Sequence, residues 1–347
     1  MKNLRKTRLK ANIMKMNEKK NIIQNKKLIF VILIGLLLLV TTLALLFGGT
    51  KLSIEEVMGG LFGTSSMKIN IIVRQVRLPR VFGALLAGVG LSISGVLLQG
   101  VTDNGLASPN IIGVNSGAGL ATIITLSFFP KAVYALPFVA FFGAFVTTML
   151  IIYISSKIGM EKITVVLAGM ALTTILNAGI SFFSLLDSDV SVIYNYFSVG
   201  GLSGVTTEKI IIPFLLILGI VLLALWLSPR IAILCLGDSL ASSLGVNVGR
   251  LRMICLICAS GTAASVVSFA GLLGFVGLIV PHIARKLSNG NMKNTLIISA
   301  FVGAILVILA DMIGRTLFAP TEIPVGIVMA LIGAPFFLWL LFSKKGK

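Results

Sequence analysis

Few side chains in this sequence could carry out chemistry, and their spacing decides which kind. Two arginines flank a proline in Arg77-Leu78-Pro79-Arg80. Guanidinium groups on a stiff backbone grip carboxylates through paired, charge-assisted hydrogen bonds, which would suit docking of an acidic external partner. The same residues could instead be anchors that snorkel from an apolar helix to the membrane interface. Asp311 and Arg315 stand four apart, the helical spacing at which opposite charges meet. The run Gly237-Asp238-Ser239-Leu240-Ala241-Ser242-Ser243-Leu244-Gly245 sets two leucines four apart around an alanine, between two glycines. It predicts a short amphipathic helix ended by Gly245. Such a helix either enters a partner's groove or packs on its own bundle. His282, the single histidine, follows Pro281. It either hydrogen-bonds a carbonyl freed by the proline or touches substrate, and the first reading is favoured.

Enzyme chemistry does not assemble from the remaining residues. No G-x-x-x-x-G-K-[ST] phosphate loop is present, so the chain does not bind ATP in the P-loop manner. No G-x-S-x-G nucleophile turn occurs. Gly271, Gly274 and Gly277 are three apart, which is not the dinucleotide fingerprint. Cys235, Cys255 and Cys258 are the only cysteines, and Cys255-x-x-Cys258 lies in an apolar run without a second pair, so packing is expected rather than a metal or redox site. No cofactor is expected. Chains of acids or histidines at mid-membrane depth would signal ion coupling. The only acid within the late apolar segments is Asp311. Energy is therefore expected from a separate subunit, with an ion-coupled secondary transporter and a membrane enzyme or assembly factor as the competing classes.

These residues must be positioned by an unusual chain. Of 347 residues 57% are hydrophobic and 12% charged, against roughly 45–50% and 25% in soluble domains. The composition implies an all-α, polytopic membrane protein. Charge-free runs long enough to span fall at 28–50, 81–102, 104–130, 132–156, 163–186, 210–229, 253–284, 294–310 and 323–343. The run 253–284 is too long for one helix and should break after Phe269 at Gly271. Ten transmembrane helices result, an even number that keeps both the N- and C-termini cytoplasmic. Threading them in this way puts 21 Lys and Arg inside and eight outside, as the positive-inside rule requires. The net charge of +18 thus belongs to topology, and no nucleic-acid partner is expected. The chain divides into a basic cytoplasmic segment 1–27, a transmembrane region 28–343 with a cytoplasmic loop at 230–252, and a tail 344–347. Small residues recur every four positions at Ala84/Gly88/Ser92, Gly113/Gly117/Ala121 and Gly326/Ala330/Ala334, which predicts faces for close helix packing.

Five stretches together resemble the FecCD-type permease subunits of ABC importers for iron–siderophores, haem and cobalamin. They are RLPRVFGALLAGVGLSISGVLLQ from Arg77, NGLASPNIIGVNSGA from Asn104, GDSLASSLGV from Gly237, GFVGLIVPHIAR from Gly274, and DMIGRTLFAPTEIPVGIVMALIGAPFF from Asp311. Two positions depart from the family pattern: Gly105 replaces the proline of NPLA, and Gly314 replaces the alanine of DxxAR. The resemblance implies a permease in a prokaryotic plasma membrane, paired with a second permease subunit, two ATP-binding-cassette ATPase subunits and an extracytoplasmic substrate-binding protein. It implies a metal chelate as cargo, an iron–siderophore before haem or cobalamin. It also implies that Arg77, Arg80 and Arg315 meet acidic residues of the binding protein. Gly237, Leu240, Ala241, Leu244 and Gly245 would form the helix that seats in the ATPase groove.

Overall fold

The computed structural model describes residues 27–110, 113–159 and 161–344. The basic segment before Lys27 and the last three residues lie outside it. The described chain is helical: α1 (Lys27–Leu46), α2 (Ile54–Phe62), α3 (Met67–Thr102), α4 (Val114–Phe128), α5 (Leu136–Ile158), α6 (Lys162–Leu186), α7 (Ser188–Val199), α8 (Thr207–Leu234), α9 (Asp238–Ser243), α10 (Val248–Ala270), α11 (Val276–Ser288), α12 (Met292–Thr316) and α13 (Val325–Lys344). Seven of these, α1, α3, α5, α6, α8, α10 and α12, are long and apolar enough to cross a membrane. The protein is an all-helical polytopic membrane protein.

The α3 helix is the axle of the bundle. Its most apolar stretch is 83% buried, whereas that of α6 is only 11% buried. α12, α10 and α11 pack on α3, and the small residues of its sequence explain how closely they do so. A methyl group on Gly88 would sit 2.1 Å from the Gly303 carbonyl oxygen of α12. Two backbones touch there, as small-residue faces in membranes allow.

The helix boundaries differ from the charge-free runs for local reasons. α3 begins at Met67 and not at the start of the run 81–102, so Arg77 to Arg80 lie inside the helix. A wide π-turn over Ile72–Arg77 admits Pro79, whose ring would clash in a regular helix interior. Among its described residues the run 104–130 is helical only from Val114. Before it, the Asn104 side chain accepts the Leu106 N–H at 3.0 Å, a turn that competes with helix. Between the long helices, only residues 235–247 of the expected loop 230–252 remain. α8 continues past Arg230, whose guanidinium lies over the Trp226 ring at 5.6 Å.

The long run 253–284 does break. α10 ends at Ala270, and Gly271 adopts φ 68°, a conformation that suits glycine. Non-helical backbone inside a membrane protein must have its polar groups satisfied by protein. Three strands of chain meet here and do so. Gly201 N–H donates to Ala270 O (2.8 Å), Leu272 N–H to Phe197 O (3.1 Å) and Gly326 N–H to Gly200 O (3.1 Å). The break, the end of α7 and the start of α13 are thereby locked together.

Candidate functional site

Polar side chains gather at the two ends of the bundle. At the end holding the α1–α2 and α12–α13 connections, three arginines are buried. Arg77 donates to the carbonyls of Leu45, Leu46 (2.9 Å) and Thr50. These belong to the end of α1 and the turn after it, where helix carbonyls lack partners and a cation is favoured. Arg315 donates to Ala44 O at 3.1 Å. Its Nε also lies 3.0 Å from Asp311 Oδ2, an ion-pair contact in which the N–H does not point along a hydrogen bond. Arg80 grips Asp311 with Nε (3.1 Å) and Nη2 (3.0 Å) and reaches Glu322 with Nη1 at 2.7 Å. Ser203 Oγ donates to the same Glu322 oxygen at 2.9 Å. Glu322, in the turn before α13, is the half-exposed member of this chain of charges. Burial alone would raise its carboxyl pKa. The Arg80 hydrogen bond and charge, with the Ser203 hydroxyl, outweigh burial and hold it below the ordinary carboxylate value.

At the opposite end, α9 is a single short turn of helix. Gly237 at φ 113° and Gly245 at φ 79° bracket it, so both chain reversals use conformations that side chains rarely adopt. Ala241 is fully buried and roots α9 on the bundle, while Leu240 and Leu244 are 55% and 61% exposed. Asp238 accepts two bonds from Arg252 of α10, at 2.8 and 2.9 Å. Arg252 Nε donates to Val101 O near the end of α3 at 3.2 Å. Lys162, the first residue of α6, bonds Asp103 at 3.1 Å and stands 3.9 Å from Asp238. Arg285 of α11 donates to the Gln99 side-chain oxygen, and Gln99 donates on to Gly277 O at 3.2 Å. Five helices therefore meet in one lattice.

A model of the FecCD transport family matches residues 36–343. The chain belongs to that family. It is a multi-pass membrane permease and not itself an enzyme. Two curated FecCD-like relatives come from Bacillus subtilis. The Fe(3+)-citrate import system permease protein YfmE is 38% identical over 93% of this chain and 98% of its own length. The iron(3+)-hydroxamate import system permease protein FhuG is 35% identical over 92% and 98%. A solved structure described as an inward-facing conformation of a metal-chelate type ABC transporter superposes with TM-score 0.81 at 31% identity, over 91% of this chain and 99% of that one.

Within this FecCD chain, the residues singled out by sequence fall into two groups. Arg77, Arg80 and Arg315 come together, but as buried pins bonded inside the chain and not as a free basic surface. The helical Asp311–Arg315 pairing is present, and Arg80 joins it from 231 residues away. Gly237, Leu240, Leu244 and Gly245 frame an outward apolar ridge; Ala241 faces the bundle and not the outside. Cys255 and Cys258 are buried and free. The His282 and Phe336 rings stand nearly perpendicular, with centroids 6.5 Å apart. Sequence reasoning missed Gln99, Asp103, Lys162, Asp238, Arg252 and Arg285 as a set. Their one visible sign is that Asp103, Lys162, Arg252 and Arg285 bound the charge-free runs 81–102, 104–130, 163–186 and 253–284, with Gln99 near the end of the first. It also missed that α6 leaves Met170, Thr174, Asn177 and Ser181 exposed along one stripe.

Proposed function

We propose that this permease carries an iron chelate across the plasma membrane as the membrane-spanning part of an ABC importer. ATPase subunits bind at α9, and a binding protein delivers cargo at the opposite end. The observation that carries this reading is α9 itself: a one-turn helix rooted by Ala241, flanked by two hinge glycines, presenting Leu240 and Leu244 outward. Two exposed leucines four apart are the pattern of a helix laid into an apolar groove. The relatives' names supply the cargo class, ferric citrate or a ferric hydroxamate.

On this reading α4, α11 and α13 complete the seven long helices to ten spans. Both termini, and the α9 end, are cytoplasmic, on the side that carries 21 of the 29 Lys and Arg. A second permease covers α6, since a stripe with Thr174, Asn177 and Ser181 is a poor surface for lipid. The binding protein meets the end where Arg77, Arg80 and Arg315 are buried. An incoming carboxylate reaches Arg80 by taking the place of Glu322, the half-exposed partner it already holds.

The test is uptake of radioiron citrate, with co-purification of the ATPase in mild detergent. Leu240→Asp with Leu244→Asp should abolish both while the chain still accumulates in the membrane. Retention of both would remove α9 as the ATPase seat.

A further inference from the structure

We infer that Lys162 is a positioning residue that transmits motion of α9 to α6, the least buried of the seven long helices. This rests on the importer reading above. Two links leave Asp238 at the start of α9. The first goes to Arg252, which is buried and also bonded to Val101 O of α3. It ties α9 to α3 and α10, the two most buried of the seven long helices, and is the pivot about which α9 turns. The second goes to Lys162, whose ammonium stands 3.1 Å from Asp103 and 3.9 Å from Asp238. Lys162 is the first residue of α6. Among the described residues of α6 only Val165 and Gly169 are buried.

The chemistry of this triad of Lys162, Asp103 and Asp238 suits transmission and not stability. Its three side chains are partly exposed, and ion pairs of that kind add little to a fold. A lysine is a point charge on a flexible four-carbon stem with three donors. It can hand its strongest contact from one carboxylate to the other over less than 1 Å of difference. Asp103 lies just past the end of α3 and marks the resting position. Asp238 moves with α9. When an ATPase groove displaces Leu240 and Leu244, Asp238 shifts relative to Asp103, and Lys162 follows one or the other. The start of α6 is drawn with it, and the Thr174–Asn177–Ser181 stripe on that helix changes its setting. Two discrete arrangements of one charged contact are what a switching element requires.

The experiment uses the whole importer in liposomes, with the binding protein outside and radioiron citrate as probe. Uptake per ATP hydrolysed is the readout, compared for the parent, Lys162→Gln and Lys162→Arg. The glutamine variant should assemble with the ATPase and hydrolyse ATP near the parental rate, while uptake per ATP falls about tenfold, the scale of an ordinary coupling energy. Arginine, which keeps the charge, should restore most of it. An unchanged ratio in Lys162→Gln overturns the inference. So does a fall in hydrolysis and uptake together, which would make Lys162 a residue of assembly. Failure of the parent chain itself to bring down any ATPase sinks the importer reading instead.

Discussion

The two polar ends of the bundle use similar residues to opposite effect. Around Arg80 the charges are removed from solvent and satisfied by one another: three buried arginines, one buried aspartate and a set of helix-end carbonyls. Around α9 Arg252 is buried, but Asp103, Asp238 and Lys162 reach solvent, as do Leu240 and Leu244. Buried ion pairs add little net stability, because desolvation offsets attraction, yet breaking one leaves a bare charge in an apolar setting. Exposed pairs can exchange partners at small cost. One end is therefore built to hold its geometry and the other to pass movement on. The seam between them, α3 against α12, is close-packed, with backbone resting on backbone at Gly88 and Gly303.

The largest effect expected from this contrast is at Asp311. Asp311→Ala leaves Arg80 and Arg315 facing each other without their shared carboxylate. A loss of about 3–5 kcal/mol follows, a large part of the stability of an ordinary domain. Thermal unfolding in detergent should show a steep fall in Tm, or the chain should fail to accumulate. A small change would place the two ends in the same class. The next effect is functional. Leu240→Asp with Leu244→Asp should reduce ATPase recovery at least about tenfold, as for paired anchors of an interface. Its Tm should stay near the parent's, because exposed substitutions usually lie within about 0.5 kcal/mol. Third is the seam. Gly88→Val places a side chain into the Gly303 carbonyl and should cost about 1–3 kcal/mol through overpacking, read as a lowered Tm with both ends otherwise intact.

How much of this was legible in the sequence follows from the range of each interaction. The break at Gly271, the Asp311–Arg315 pair and the short helix from Gly237 to Gly245 are local. Their spacing along the chain is their spacing in the fold. The packing face at Gly88 was legible for the same reason, although its partner Gly303 was not. The grip of Arg80 on Asp311 joins residues 231 apart, and Lys162 meets Asp103 across 59; no periodicity connects them. That gap hid from the sequence that Arg77, Arg80 and Arg315 are buried. Hydrophobic runs report length and not burial, so α3 and α6 read alike although one is the axle and the other lies at the margin. Pro79 stands just before the run 81–102 and gives no sign of lying inside a helix, because the π-turn that accommodates it has no signature in a single chain.

The smallest effect tests where the rigid end stops. Glu322 is the one carboxylate of that network within reach of solvent, and its folded pKa lies below its ordinary value because Arg80 and Ser203 outweigh burial. A carboxyl depressed on folding contributes stability that is fully present above its unfolded pKa, about 4.3. That contribution is lost as pH falls through the lower folded value, where the folded state also takes up the proton. Glu322→Gln keeps the shape but removes the titrating charge. At neutral pH the variant should melt below the parent by a modest, constant margin, since the pair is partly screened. As pH drops below about 4.3, the margin should narrow toward zero. Measuring Tm of parent and variant across that interval decides the matter. A margin independent of pH would mean that Arg80 is already satisfied by Asp311 alone, and that the buried network ends there, one residue short of the surface.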